Sequence, residues 1–426
     1  MQKRLLGGYL FIIIILFNSG CSQFKEYKHV FILELSIPDL MISLSEESNN
    51  SDFRSAISDA KEAQLTSSDD FITLFAEAWH TQVAYQENPT PLWWIFHNME
   101  QKNLFPAMST DEEIIEILAS EAKDAINNTE SIITTRILNN YTYQNRINYK
   151  INQLPNYKLE IITSAIEDKN NFRKTLVSSG NLEFWPVLFN SEVYLKIIQA
   201  EIAYANSINP EFYGENAPAD STLTPEQLGS KYSIQSKIIL LDPFRNRSNI
   251  VGHAHMDNRE DILKTLNTPL IKKTIGDDVR FAWSSNPQDN NPQFYSLYAL
   301  KDESIRGKAQ LSGNSILDSG VSSDEFGNVS LDLTMDEEGT GIWKRMTHEF
   351  ASQNYRSVAI VLDNLVLSAP SVSQVITNGR SQIFFGSSQT RSEKIEEAED
   401  ILGFLKSGSL PARCLILEEW EYEYYD

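Results

Sequence analysis

Val329-Ser-Leu-Asp-Leu-Thr-Met335 opens the stretch, running to Ala412, on which the reading of this chain turns. Its apolar residues fall at alternate positions and so share one face of a strand. Downstream, Ile342, Met346 and Phe350 stand four apart with Trp343 beside them, the spacing of a helix that buries one side. Ser357-Val-Ala-Ile-Val-Leu362 is too uniformly apolar for a half-exposed strand and predicts one covered on both faces. Asp363-Asn364 makes a turn, and Val366-Leu-Ser-Ala-Pro370 returns, closed by a proline that cannot donate to a ladder. Thr390 and Glu393 form a capping box for a second helix, with Ile395, Ala398, Leu402 and Leu405 inward and Gly408 as its stop. The expected unit is β-α-β-β-…-α, with both helices on one sheet face.

Working outward, the 426 residues leave room for two or three domains, each with its own core. The formal charge is -22, from 36 basic and 58 acidic residues. That excess argues against nucleic acid as a partner and against electrostatic docking on anionic lipid. Cys21 and Cys414 are the two cysteines, too few for a disulfide framework.

Residues 1–20 read as a signal peptide: Lys3 and Arg4 precede a short apolar run to Phe17, and Asn18-Ser-Gly-Cys21 follows. The run is shorter than the ~20 residues of a spanning helix. Ser19-Gly20-Cys21 resembles the lipobox of bacterial lipoproteins, which implies a lipidated Cys21 and membrane attachment through an N-terminal lipid. Asn18 departs from the aliphatic residue usual there. An uncleaved N-terminal transmembrane anchor is the competing reading.

Four motifs in order resemble the SecD family: Ala359-Ile-Val-Leu-Asp-Asn-Leu-Val-Leu-Ser-Ala-Pro370, Ile376-Thr-Asn-Gly-Arg-Ser-Gln-Ile383, Glu397-Ala398 and Leu405-Lys-Ser-Gly-Ser-Leu-Pro-Ala412. In that family they belong to the head of the large extracytoplasmic domain. The resemblance marks Asp363, Asn364, Ser368, Ala369, Pro370, Gly379, Arg380, Gly408 and Pro411 as motif positions, structural or binding in role. Asn364 and Asn378 replace the usual glycines, and asparagine tolerates left-handed backbone better than most residues. After Ala412 the family continues into five transmembrane helices, whereas this sequence has Arg413-Cys-Leu-Ile-Leu417, able to supply a last strand, and an acidic tail. The expectation is a SecD-like domain without the C-terminal transmembrane bundle.

Upstream, His29 to Ile37 alternates as a strand, and Pro38 opens a short helix. Two amphipathic helices follow, one burying Phe53, Ile57 and Ala60, the other Phe71, Leu74, Phe75 and Ala78. Leu92-Trp-Trp-Ile-Phe96 is an aromatic cluster expected to pack over the core. Ser109 and Glu112 predict the capping box of the longest helix, whose row Ile115, Leu118, Ala122, Ile126, Ile133 and Ile137 reaches Asn139-Asn140. There the family carries RIDxxGVxEP; Arg136-Ile137 remain, and Leu138 stands at the aspartate position. A hairpin around Leu154-Pro-Asn156, a helix with Phe172 and Leu176 ending at Gly180, and the strand Asn181 to Trp185 complete a pattern resembling the ferredoxin-like base of SecD. Ser191 is the expected cap of the next helix.

The fold class expected is α+β, a ferredoxin-like base subdomain with an inserted α+β head. The boundaries read as signal peptide 1–20, N-terminal strand and helices 21–108, base 109–206, linker and small insert 207–291, head 292–410, and final base strand with acidic tail 411–426.

Enzymatic signals are sparse. His253 and His255 lie two apart, on one face if the segment is a strand, and Asp257 extends the row. Two histidines without a third ligand make a weak zinc motif, and the residues read as a half-exposed strand. Ser58-Asp-Ala-Lys61 and Ser120-Glu-Ala-Lys123 match a serine-lysine pattern but lack its partner motifs. No phosphate loop or dinucleotide fingerprint is present, so no cofactor, resident metal or catalytic residue is assigned. The resemblance implies a non-enzymatic role in protein export on the extracytoplasmic side of the cell envelope. Its partners would be unfolded or emerging secretory polypeptide and an intact SecDF/SecYEG translocase. Two other readings stay open: an accessory lipoprotein acting outside export, and a metal-dependent hydrolase using His253 and His255.

Overall fold

The computed structural model describes residues 26–424 apart from 100, 146, 165, 167, 213–216, 289, 303–308, 326–327, 354 and 385–389; the signal segment and Cys21 lie outside the described residues. In chain order the first elements are β1 (Glu26–Leu35), α1 (Ile37–Leu44), α2 (Ser51–Gln64), α3 (Phe71–Val83), α4 (Leu92–Phe96) and α5 (Asp111–Asn145). Next come β2 (Tyr149–Leu154), β3 (Lys158–Ser164), α6 (Lys169–Val177), β4 (Leu182–Leu188), α7 (Asn190–Ile208) and α8 (Pro225–Lys231). Then follow β5 (Ile238–Leu240), β6 (Gly252–His255), α9 (Arg259–Leu266), α10 (Pro269–Ile275), β7 (Val279–Ser284), β8 (Phe294–Lys301) and β9 (Leu311–Ser312). The chain finishes with β10 (Ile316–Ser323), β11 (Val329–Met335), α11 (Glu337–Ser352), β12 (Val358–Leu362), β13 (Leu365–Ser368), β14 (Arg380–Phe384), α12 (Arg391–Ser407) and β15 (Cys414–Tyr424).

Polar caps set the helix starts. Asp70 accepts the Ile72 and Thr73 amides at the head of α3, and Thr390 and Glu393 satisfy each other's amides at the head of α12. The box opening α5 lies one residue later than Ser109–Glu112. Thr110 N donates to Glu113 Oε2 (2.8 Å), and Glu113 N donates to Thr110 Oγ1 (3.2 Å). Ser191 is likewise inside α7, where Glu192 caps the Phe189 amide at 2.7 Å. Asp363 and Asn364 both take positive φ, 50° and 68°, so the tight β12–β13 turn is left-handed at both central positions.

The base is a four-stranded antiparallel sheet in the order β15-β1-β3-β2. The strand order is that of two interleaved split βαβ units, β1 to β2 through the N-terminal helices and β3 to β15 through α6. One face buries Phe31, Leu33, Leu159 and Ile161 against Phe53, Phe71, Phe75, Trp79 and the inner row of α5. Residues read as an acidic tail continue β15 to Tyr424, paired with β1 throughout apart from one irregularity beside Leu33. Alternation explains this: Glu419 and Glu421 point to α6, where Arg173 and Lys169 meet them at 2.7 and 2.9 Å.

The strand at 182–188, expected with the base, pairs instead with β12, β9 and β8. An eight-stranded sheet runs β5-β6-β8-β7-β13-β12-β4-β9, and the extra β8–β4 pairing closes β4, β8, β7, β13 and β12 into a ring. Trp185, Val187, Ala282, Leu300, Ala359, Val361 and Val366 fill it. The insert and the head therefore share one sheet, with β7 and β8 side by side. The β-α-β-β-…-α unit divides too: β11 belongs to a separate three-stranded sheet, β10-β11-β14, while β12 and β13 enter the ring. β12 is buried along its whole length, as its composition predicts.

α11 and α12 pack between the ring and the three-stranded sheet. Trp343, Met346 and Phe350 of α11 are buried, and Ile342 is half-buried against the same core. On α12 the innermost residues are Ala398, Ile401 and Phe404, with Leu402 and Leu405 at the margin, so the inward face is turned by one position. Among the described residues no helix is long and apolar enough to cross a membrane.

Candidate functional site

The base core and the head core have no residue in common. The chain crosses between them twice, after α6 and after α12. Both crossings use a left-handed glycine, Gly180 at φ 73° and Gly408 at φ 84°. They bond to each other through Leu410 N and the Ser179 carbonyl at 2.7 Å. Arg136, on α5 and 0% exposed, grips both. Its Nη1 donates to the carbonyls of Ser178 (2.5 Å) and Thr175 (3.2 Å). Nη2 donates to those of Ser179 (3.2 Å) and Gly408 (3.1 Å), and Nε to the Ser407 hydroxyl (3.1 Å). The guanidinium lies 4.8 Å from the Phe404 ring centroid.

Burial pulls the Arg136 pKa down to about 10, against the attraction of Asp363, so it stays charged at neutral pH. A Cβ at Gly180 would fall 2.7 Å from Arg136 Nη2, which is why glycine serves there. The same burial pushes the Cys414 thiol up to about 12, leaving it an inert thiol. From the head side, Asp363 accepts the Ser179 hydroxyl and the Asn181 amide (3.0 Å). Asp363 and Gly408 thus belong to the junction, and Pro411 directly follows Leu410, whose amide bonds across it. Asn364 accepts from Arg280 on β7.

Of the remaining motif residues, Pro370 and Arg380 line a groove in the head, and Ser368, Ala369 and Gly379 adjoin them in the chain. The groove walls are β11 at Asp332–Thr334, β14 at Arg380–Gln382 and the segment Pro370–Gln374; Val358, Ile360 and Trp343 line it below, and the cavity measures ≈ 570 Å³. Pro370 accepts the Val358 amide at 3.0 Å, and Ala369 accepts from Asn249 at 3.2 Å, which pins this wall to the ring. Ser368 Oγ and Trp343 Nε1 are both buried without a partner. Trp343 is 3% exposed and packs edge-on against Phe184.

Gly379, at φ 63°, carries the left-handed turn into β14, and a Cβ there would fall 2.0 Å from Thr340 Oγ1. Asn378 contributes its side chain instead, accepting the Arg380 amide at 3.2 Å. Arg380 is exposed on the groove rim. β14 is an edge strand: β11 flanks one side, and among the described residues no strand pairs with the other. Phe384 on it is 58% exposed.

His253 and His255 do share one face of β6. His253 Nδ1 lies 2.5 Å from Gln288 Nε2 and 3.2 Å from Ser296 Oγ, and burial lowers its pKa. His255 Nδ1 faces Asp257 at 3.2 Å and its ring stands edge-on to Phe294. Among the described residues no three His, Cys, Asp or Glu groups are disposed to hold a metal ion.

Sequence reasoning names Arg136 only as a remnant of a family motif. Its signal was an arginine on the apolar row, between Ile133 and Ile137. Trp343, read as core, is also groove lining.

Residues 292–412 match the family model described as SecDF, P1 head subdomain. Over 319 residues the chain is 27% identical to protein translocase subunit SecD of Rhodothermus marinus, covering 73% of this chain and 49% of that one. It is 35% identical over 155 residues to the SecD subunit of Acidaminococcus fermentans, covering 36% of this chain and 35% of the other. Protein translocase subunit SecDF of Thermus thermophilus is 34% identical over 140 residues, 33% of this chain and 18% of its own. The chain thus spans about half or less of these relatives. Two solved structures are similar: SecDF in a super-membrane-facing form (19% identity, TM-score 0.36, 70% of this chain and 28% of that one) and a membrane component SecDF that enhances protein export (20%, 0.34, 69% and 92%). The chain is similar to the extracytoplasmic domain of SecD, most specifically over the head at 292–412.

Proposed function

We propose that this SecD relative acts in protein export on the extracytoplasmic side, as a binder rather than an enzyme, with its head holding an extended stretch of emerging polypeptide. The observation that carries the reading is the groove beside the open edge of β14. Unfolded clients share little beyond backbone and apolar side chains. A strand edge recognises the first by main-chain hydrogen bonds, and an apolar floor takes the second. Clasped glycine crossings suit a head that moves against its base once a client is seated. A lipid on Cys21 would tether the domain, and an intact translocase is the docking partner that fits this role.

The test is fluorescence anisotropy with a labelled, unfolded presecretory chain and the purified protein. Saturable association is expected, weakened by Gln382→Pro, which breaks the β14 backbone. A folded version of the same chain should not bind. No association at any ionic strength would remove the holding role.

A further inference from the structure

The base core takes Phe31, Leu33, Leu159 and Ile161 from one face of the four-stranded sheet. On the opposite face the pairing register sets Val30 between Ile162 and Trp420, with Ile32 next along β1. Among the described residues these four belong to none of the buried clusters. Leu415 and Tyr422 extend that face along β15, the edge strand, and are exposed with Trp420. Alternation sorts the side chains of β15: Glu419 and Glu421 turn to Arg173 and Lys169 of α6, so Trp420 and Tyr422 turn away. The result is an apolar sheet face that no core covers, aromatic at one end.

That end is also where the chain enters from its N-terminal segment. Glu26, the first residue of β1, pairs with Tyr424, and five residue steps separate it from Cys21. Five steps reach at most about 18 Å. Tyr422 and Trp420 stand opposite Lys28 and Val30, about 7 and 14 Å along β1 from Glu26 at the rise of a strand. Both lie within the reach of the tether.

We propose that this face of the base seats on the lipid–water interface, with Trp420 and Tyr422 as its interfacial anchors. Tryptophan and tyrosine favour that boundary because an apolar ring and a polar N–H or O–H suit its two sides. The tether makes the contact intramolecular, so a weak affinity suffices. Electrostatics selects neutral lipid. On this face Lys28, Lys150 and Lys158 balance Glu34, Glu160 and Glu418, while the whole chain carries a net charge of -22. The seating rests on the N-terminal anchor and is independent of the client groove.

The test uses the full chain, isolated from membranes with the anchor it carries and reconstituted without client into phosphatidylcholine vesicles. The vesicles contain a headgroup-photoreactive phosphatidylcholine, flotation reports the anchor, and mass spectrometry maps the lipid adducts. Adducts are expected in peptides covering 148–162 and 414–422, and not in 51–64 of α2 on the other side of the sheet. Trp420→Ser with Tyr422→Ser should lower adducts at 148–162 by roughly tenfold, with flotation unchanged. A measurement free of substitutions accompanies it: replacing part of the lipid by anionic phosphatidylglycerol should lower the same adducts. Loss of flotation would overturn the anchor and the seating together. Flotation with both sides of the base labelled equally, or with the outer face unlabelled, would overturn the seating alone and leave the face to a protein partner. Stronger labelling on anionic vesicles would overturn it too.

Discussion

Replacing Arg136 by alanine should loosen both crossings at once. The side chain supplies five donor contacts, four to backbone carbonyls and one to a hydroxyl, all in a fully buried setting. The Ser179 carbonyl keeps a partner in Leu410 N, so it loses least. The Ser178 and Gly408 carbonyls lose their principal donor, each at about 1–3 kcal/mol. Adding the lost packing against Phe404, the total is about 3–5 kcal/mol, the range for breaking a buried charged network. Arg136→Met should cost nearly as much, because it restores volume but no donors. Arg136→Lys should be intermediate, since a single ammonium cannot span both crossings. The assay is amide exchange resolved to peptides covering 175–182 and 405–412. A loss of this size raises local opening by roughly two to nearly four decades at about 1.4 kcal/mol per decade. Unchanged protection in both peptides, or loss in only one, would refute the clasp.

Met346 is 2% exposed, so Met346→Ala should cost about 2–5 kcal/mol in urea unfolding of the head, whereas exposed Lys344→Ala should be near neutral. Gly379→Ala places a Cβ on Thr340 in a left-handed turn and should cost about 1–3 kcal/mol; pairing it with Thr340→Ala should recover part of that in a double-mutant cycle. Cys21 is expected to be the lipidated mature N-terminus, so intact-mass analysis should show loss of residues 1–20 and an acyl adduct, and Cys21→Ser should abolish the adduct.

Local chemistry was legible in the sequence. Caps, turns and apolar periodicity place β1, α2, α3, α11, β12 and α12 because each depends on residues a few positions apart. Strand partnership was not. β4 alternates no differently as a base strand than as a ring strand, and its partner β12 lies more than 170 residues away. The one-position turn of α12 has a similar cause: Ile401 and Leu402 are equally apolar, and only the opposing core selects Ile401. Among the site residues, the family motif marks positions at both the junction and the groove without saying that they form two places. Arg136 escaped because a charged residue on an apolar row reads as an irregularity until its acceptors, as much as 272 residues away, are brought beside it.

Site-directed photo-crosslinking tests the holding role most directly. A photoreactive residue at Gln374 in the groove wall, with Glu62 on α2 as the exposed control, is introduced into the full chain in cells secreting a slowly exported client. Client adducts at Gln374, absent at Glu62 and lost once export is complete, are the predicted result. Equal labelling at the two positions, or none at Gln374 while export is stalled, would contradict it.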